Sequence, residues 1–233
     1  MKELKKQTKL LDYETNQIQE LVKKRKWNEL NDFEKILKTY NFVRDEIEFG
    51  YNVSDNIKAS KVLKDGYGQC NTKATLLMAL LRAVDIPCRF HGFTIYKELQ
   101  KGAITGLWYK LAPKEIVHSW VEVLYKGKWY NLEGFIIDSK YLSALQATQK
   151  DDSGAFCGFG VATNDFKNPQ IDWNVNHTYI QKEGINQDFG IFNDPDSFFR
   201  YHSQKFNKIK KFLFENYARH AMNKNVAKIR DSK

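Results

Sequence analysis

Residues 66–87 have the sequence GYGQCNTKATLLMALLRAVDIP, and this stretch decides the fold. A glycine-containing turn is followed by strong helix formers with apolar residues at steps of three and four. Because the segment is apolar nearly all round, it predicts a central, buried helix that begins at Cys70 and is ended by Pro87. A thiol at a helix start lies beside unpaired N–H groups and the positive end of the helix dipole, which favour a thiolate. Cys70 is therefore predicted to be either a nucleophile or an inert buried thiol.

A hairpin downstream supplies a candidate base. Two alternating runs flank Lys126-Gly127, the pattern of a hairpin with a two-residue turn. Antiparallel pairing from that turn places Trp120 opposite Glu133 and His118 opposite Phe135. His118 and Glu133 then become diagonal neighbours on one face, about 7–8 Å apart at Cα. We predict that Glu133 orients the His118 ring while the ring takes the thiol proton, although a histidine on a strand is more often a packed core residue.

The rest of the chain predicts a mixture of helices and strands. Periodic apolar positions indicate helices over about residues 9–26, 30–47 and 60–63, a strand over 88–96, and a C-terminal helix that begins at 193–195 and continues to 213. Between residues 139 and 187 the pattern weakens and indicates irregular loops or short strands. We find no internal repeat and no linker, so the sequence predicts one α+β domain over residues 1–233.

Composition excludes several classes of protein. The 233 residues are 42% hydrophobic and 14% aromatic, which is too apolar for a mostly disordered chain. No apolar stretch is long enough to cross a bilayer and the N-terminus lacks a signal-peptide core, so we expect no transmembrane segment and a cytoplasmic location. Three dispersed cysteines form neither a disulfide framework nor a zinc motif, so neither a metal site nor a cofactor is expected.

Positive charge is concentrated at the C-terminus. Residues 200–233 contain ten basic and two acidic side chains, a net charge of +8 within a total of +9. The basic helical segment, about residues 194–230, is predicted to be either a solvated helix face or a surface for nucleic acid or an anionic membrane. No nucleic-acid motif accompanies the charge.

Two motifs resemble those of the transglutaminase-like superfamily. Residues 60–92, which contain SKVLKDGYGQC and LLRAVDIPCRFHG, resemble its central motif. Residues 118–133 resemble its second motif, H-x-W-x-E-V followed by a tryptophan and an acid. The resemblance covers about residues 28–138 and implies an α+β, papain-like core. In that core a central N-terminal helix packs on an antiparallel β-sheet, and here a C-terminal helix is added.

The resemblance also implies a site and an activity. The family's triad carries over as Cys70, His118 and Glu133, with glutamate where the family usually has aspartate. Candidate oxyanion or substrate contacts are Gln69, Tyr67 and Trp120. The implied activity is cofactor-free attack on a carboxamide or peptide carbonyl through a thioester, on a protein or peptide substrate. Hydrolysis and transfer to an amine both remain open. The alternative is an inactive scaffold that docks partners through its basic C-terminal helix.

Overall fold

A computed structural model describes residues 2–149, 154–204 and 206–232. The α-helices of these residues are α1 (Asn16–Lys24), α2 (Asp32–Asp45), α3 (Ala59–Asp65), α4 (Cys70–Ala83), α5 (Gly106–Leu111), α6 (Ser139–Thr148), α7 (Pro195–Phe199), α8 (Lys208–Leu213) and α9 (Arg219–Arg230). The strands are β1 (Glu48–Phe49), β2 (Tyr67–Gly68), β3 (Cys88–Tyr96), β4 (Glu115–Tyr125), β5 (Lys128–Leu132), β6 (Phe156–Gly158), β7 (Val161–Thr163) and β8 (Ile185–Phe192).

Helix α4 is the buried centre of the fold, as predicted. Every residue from Cys70 to Arg82 is buried, and the helix packs against α1, α2, α3 and the sheet strands β3 and β4. The predicted stop at Pro87 is wrong. Asp85 has a left-handed backbone with φ 65°, and the N–H of Ile86 bonds to the carbonyl of Leu81 at 2.9 Å. These are features of a Schellman motif, which ends the helix before the proline is reached.

The main sheet is antiparallel, with the strand order β5-β4-β3-β8. Lys126 and Gly127 both have positive φ, as the predicted two-residue turn requires, and Tyr125 pairs with Lys128. The register is the predicted one as far as Leu132, where β5 ends. The two predicted pairs beyond this point, Trp120 with Glu133 and His118 with Phe135, do not form, because the chain turns away from β4 after Leu132. The α+β fold class with a central helix on an antiparallel sheet is confirmed.

Several predicted boundaries are wrong. The first helix begins at Asn16 rather than near residue 9, and the second begins at Asp32, where Asn31 caps it by accepting a hydrogen bond from the Glu34 N–H at 3.1 Å. Residues 139–187 contain a helix, α6, besides loops and short strands. This helix begins at Ser139 because Asp138 caps its first turn.

The C-terminal segment is not one continuous helix. Helix α7 starts where predicted, with Pro195 at its first position and Asp194 accepting a hydrogen bond from the Ser197 N–H at 2.7 Å, but it ends at Phe199. A second cap at Asn207, which accepts from the Lys210 N–H at 2.8 Å, starts α8. A single π-helical turn then leads into α9. The break allows the segment to run across the molecule and to place α9 against α6.

Candidate active site

Cys70 occupies the first turn of α4, directly after the N-cap residue Gln69. Both ends of the Gln69 amide are engaged. Its oxygen accepts from the Asn52 N–H at 2.8 Å, and its nitrogen donates to Asp55 at 3.0 Å. The Gln69 N–H donates to Thr72 Oγ1 at 3.0 Å, which fixes the start of the helix. The position of the thiol is therefore set by a closed network of hydrogen bonds around the N-cap.

Asn71, the residue after the cysteine, ties the start of α4 to strand β4. Its Nδ2 donates to the carbonyl of Val117 at 2.9 Å, and its Oδ1 accepts from Ser119 Oγ at 2.8 Å. These two partners lie on either side of His118 in the chain. Asn71 therefore brings the helix start and the histidine together, a role that the sequence reasoning missed because asparagine at this position has no signature of its own.

His118 and Glu133 form the contact that the hairpin register predicts. His118 Nε2 lies 2.9 Å from Glu133 Oε1, and both side chains are fully buried. The other carboxylate oxygen accepts from the N–H groups of Ile180 at 2.9 Å and Gln181 at 3.0 Å. A carboxylate held in this way keeps the Nε2 proton on the ring and leaves Nδ1 as the basic nitrogen. Within the described chain, Nδ1 is buried and makes no hydrogen bond.

A cleft of about 430 Å³ opens beside the thiol. Gln69, Cys70 and Val117 line this cleft, and so do residues of the C-terminal segment that include Phe206 and Phe214. Cys70 itself is only 7% exposed. A substrate carbonyl would therefore reach the sulfur from the cleft, between the helix start and the C-terminal segment.

Two predicted contacts do not line this cleft. Tyr67 lies in β2, where its ring approaches Gly50, and the ring of Trp120 packs against Phe93 at a centroid distance of 4.1 Å. Neither residue is among the described residues of the cleft wall, which does contain Trp108. The geometry therefore gives no support to a direct substrate contact by Tyr67 or Trp120.

The electrostatic setting of Cys70 differs from the sequence prediction. Burial raises the pKa of the Cys70 thiol, and the nearby Asp55 carboxylate raises it further. The N–H groups of Asn71 and Ser119 lower the pKa but do not outweigh these effects. Burial likewise raises the pKa of Asp55, against the hydrogen bonds from Gln69 and Asn71. The helix start alone therefore does not make the resting thiol a thiolate.

Residues 19–134 match the family model of the transglutaminase-like superfamily. Those residues therefore carry a transglutaminase-like domain match, which spans 116 of the 233 residues of the chain. A solved structure of a candidate cysteine protease from Cytophaga hutchinsonii resembles the chain with a TM-score of 0.46 and 14% sequence identity, over 83% of this chain and 47% of that one. This chain thus spans about half the length of that structure. No curated protein matches the chain.

The match of residues 19–134 to this superfamily supports a cysteine enzyme in general terms. The three thiols of the chain differ in their surroundings. Cys88 is buried in the core, where its sulfur lies 3.7 Å from the Met78 carbonyl oxygen. Cys157 is exposed in β6. Of the two buried thiols, Cys70 is the one that lines the cleft.

The described residues contain no group of three or more His, Cys, Asp or Glu side chains that could hold a metal ion. Among the same residues, none of the helices combines the length and apolarity that crossing a membrane requires.

A second histidine, which the sequence reasoning did not single out, lies in a charged cluster on β3. His91 Nδ1 is 2.7 Å from Glu122, and its Nε2 is 2.9 Å from Asp188. Burial opposes a charge on His91, but these two hydrogen bonds outweigh it and raise the pKa of His91 above its ordinary 6.5. Burial raises the pKa of Glu122, but hydrogen bonds from His91 and Arg89 outweigh it and lower that pKa below 4.5.

This cluster predicts a pH-dependent stability. The contribution of His91 is fully present below pH 6.5 and is lost as the pH rises through the folded-state pKa, whereas that of Glu122 is lost only as the pH falls below 4.5. Burial lowers the pKa of Lys73 to about 7, which raises stability over part of the same pH range, so the effect of His91 is measured as a difference between two proteins. We expect the free energy of unfolding of the wild type, measured with urea, to fall relative to that of His91→Gln by on the order of 1 kcal/mol between about pH 6 and about pH 9. The exposed His220→Gln should follow the wild type. An unchanged pH profile in His91→Gln would contradict the assignment.

Proposed function

We propose that the protein is a cysteine-dependent acyl-transfer enzyme that acts on a carboxamide or peptide bond through a thioester. The proposal rests on the buried hydrogen bond between His118 and Glu133, which uses Nε2 and leaves Nδ1 of the ring without a partner. His118 lies on β4, the strand to which Asn71 ties the start of α4. A packed core histidine normally satisfies both ring nitrogens. An unpaired buried Nδ1 is the arrangement that a general base requires.

In the proposed reaction His118 Nδ1 takes the Cys70 proton as the sulfur attacks the carbonyl carbon. The oxyanion would be stabilised by N–H groups at the start of α4, with the second amide proton of Gln69 as a further donor. The carbon–nitrogen bond then breaks, and the leaving amine departs with the proton from His118. Water or a second amine then attacks the thioester and gives a proton to His118, which passes it to the sulfur as the carbon–sulfur bond breaks. Glu133 stabilises the imidazolium throughout.

A raised thiol pKa is compatible with this scheme when proton transfer occurs during the attack. The resting pair is then Cys–SH and neutral imidazole, and the thiolate forms only as the carbonyl approaches. Asp55 would disfavour a permanent thiolate, because its charge raises the pKa of Cys70. Protein or peptide substrates are the class that we propose for this site.

The second candidate function is the inactive scaffold. The raised pKa of Cys70 favours it, because an unreactive thiol is what a binding protein would retain. The basic C-terminal helix would then dock an anionic partner such as nucleic acid. Part of the basic charge is unavailable for this role, since Arg230 is 5% exposed and bonds to Asp138 inside the protein. Exposed lysines of α9, such as Lys224 and Lys228, remain for such a surface.

A peptidyl chloromethyl ketone separates the two functions. We expect an adduct at Cys70 in the wild-type protein and a rate lower by about 10²–10⁴-fold in His118→Ala, because the base that takes the thiol proton is absent. Mass spectrometry of tryptic peptides locates the adduct. The exposed Cys157 is the internal control and should show no dependence on His118. A Cys70 that stays unmodified, or that reacts equally fast without His118, would support the scaffold.

A further inference from the structure

One edge of β4 is open beside the proposed catalytic residues. Strand β5 pairs with β4 only as far as the Val121–Leu132 pair, whereas β3 pairs with the other edge of β4 from Val123 to Glu115. In an antiparallel ladder, alternate residues direct their backbone groups to the same edge. The backbone groups of Glu115, Val117 and Ser119 therefore point to the side where β5 is missing.

The first part of this open edge is occupied by the start of α4. The N–H of Ser119 faces the Cys70 sulfur, and the carbonyl of Val117 accepts from Asn71 Nδ2 at 2.9 Å. The candidate nucleophile therefore lies along the line that a neighbouring strand would follow.

The next part of the edge is occupied by a glutamine from the C-terminal segment. The Val117 N–H donates to Gln204 Oε1 at 3.1 Å, and Gln204 Nε2 donates to the Glu115 carbonyl at 3.3 Å. One side-chain carboxamide thus satisfies one backbone N–H and one backbone carbonyl. The amide groups of an extended peptide added to a sheet edge make the same pair of bonds.

Gln204 does not occupy the position of the reacting carbonyl. Ser119 and Val117 are two residues apart on the strand, a distance of about 7 Å, so the Gln204 carboxamide lies roughly one strand repeat from the sulfur. This is the distance at which a flanking peptide unit of a bound substrate would lie.

Described residues on both sides of Gln204 are exposed, and buried residues anchor the chain further away in each direction. Tyr201 and Ile209 are 75% and 72% exposed, and α8 has no buried residue. On either side, Phe198 is fully buried and Val226 of α9 is 1% exposed. Displacement of Gln204 therefore exposes little apolar surface and leaves both anchors in place.

We propose that Gln204 occupies the subsite for the main chain of an extended peptide substrate, so that the substrate binds by displacing it. This inference rests on the proposed function and adds to it a main-chain subsite and an internal competitor for that subsite. Glu115 and Val117 would bind the peptide main chain, which confers affinity without selecting a side chain.

The test compares a peptidyl chloromethyl ketone with iodoacetamide, which has no peptide to place on the edge. In Gln204→Ala we expect the rate of Cys70 modification by the peptidyl reagent to rise about tenfold, because two competing hydrogen bonds are absent. The rate with iodoacetamide should stay within about twofold, since it does not use the edge. Tyr201→Ala, at a neighbouring residue that is 75% exposed and is not among the residues that line the cleft, is the control and should resemble the wild type with both reagents.

Amide hydrogen exchange at Val117 gives a second readout. Exchange should be faster in Gln204→Ala than in the wild type, and protection should return once the peptidyl group is attached to Cys70. Equal peptidyl rates in both proteins, or no return of protection, would overturn the inference while leaving the proposed function intact. If wild-type Cys70 reacts with neither reagent, the proposed function fails and the substrate subsite fails with it.

Discussion

Replacement of Glu133 by glutamine is expected to lower the rate of Cys70 modification by a peptidyl electrophile about 10³-fold. Two backbone N–H groups, from Ile180 and Gln181, converge on one carboxylate oxygen. In Glu133→Gln the amide oxygen must take that position, because an NH₂ group there would meet two donors. The amide nitrogen then faces His118 and donates to Nε2, which moves the ring proton to Nδ1. The nitrogen that should accept the thiol proton is thereby blocked.

Glu133→Asp is the matched control. This variant retains the negative charge and the His118 tautomer, and aspartate is the acid that the family usually has at this position. We expect the rate of Cys70 modification to fall only about tenfold, because the aspartate side chain is shorter. Far-UV circular dichroism and urea unfolding check that both variants are folded. A Glu133→Gln protein that keeps more than a tenth of the wild-type rate would show that the tautomer is not decisive.

Replacement of Arg230 by methionine is expected to lower the free energy of unfolding by about 3–5 kcal/mol. Arg230 donates to Asp138 at 2.9 Å and to the Phe49 carbonyl at 2.7 Å, and both charged side chains are almost fully buried. Burial raises the pKa of Asp138, but the hydrogen bond from Arg230 outweighs it and holds the pKa below its ordinary 3.8. Without the guanidinium, Asp138 remains as a buried charge with its ion-pair partner gone, and the anchor of α9 is lost.

Lys228→Met is the control for this prediction, because Lys228 is exposed on the same helix and should change stability by less than about 0.5 kcal/mol. The double variant Arg230→Met with Asp138→Asn should recover part of the loss, since removing both charges removes the unpaired one. Urea unfolding measures all three proteins. A loss below about 1 kcal/mol in Arg230→Met would mean that α9 is held by its apolar face alone.

The chemistry-bearing residues were the most predictable part of the site. A helix start after a glycine turn indicates Cys70. The two-residue turn at residues 126–127 fixes the register as far as Leu132, and the contact of His118 with Glu133 forms just beyond the end of that pairing. Both signals are local, because they depend on backbone geometry within a few residues. The roles of these residues and the single-domain organisation of residues 1–233 stay predictions.

The less predictable part depends on residues distant in the chain. Asp55 faces the thiol from a loop that has no sequence signature, and burial outweighs the effect of the helix start on the pKa of Cys70. The cap of α6 at Asp138 is a local signal, but the ion pair of Asp138 with Arg230, about ninety residues later, is not. No local pattern records such a pairing.

The sequence alone determined the central helix, the hairpin and the identity of the three candidate catalytic residues, since each follows from periodicity or turn chemistry over short distances. Only the tertiary structure decided that the C-terminal segment forms a wall of the cleft and that Gln204 pairs with the open edge of β4. Burial and long-range hydrogen bonds depend on which distant segments meet, and this is set by the packing of the whole chain.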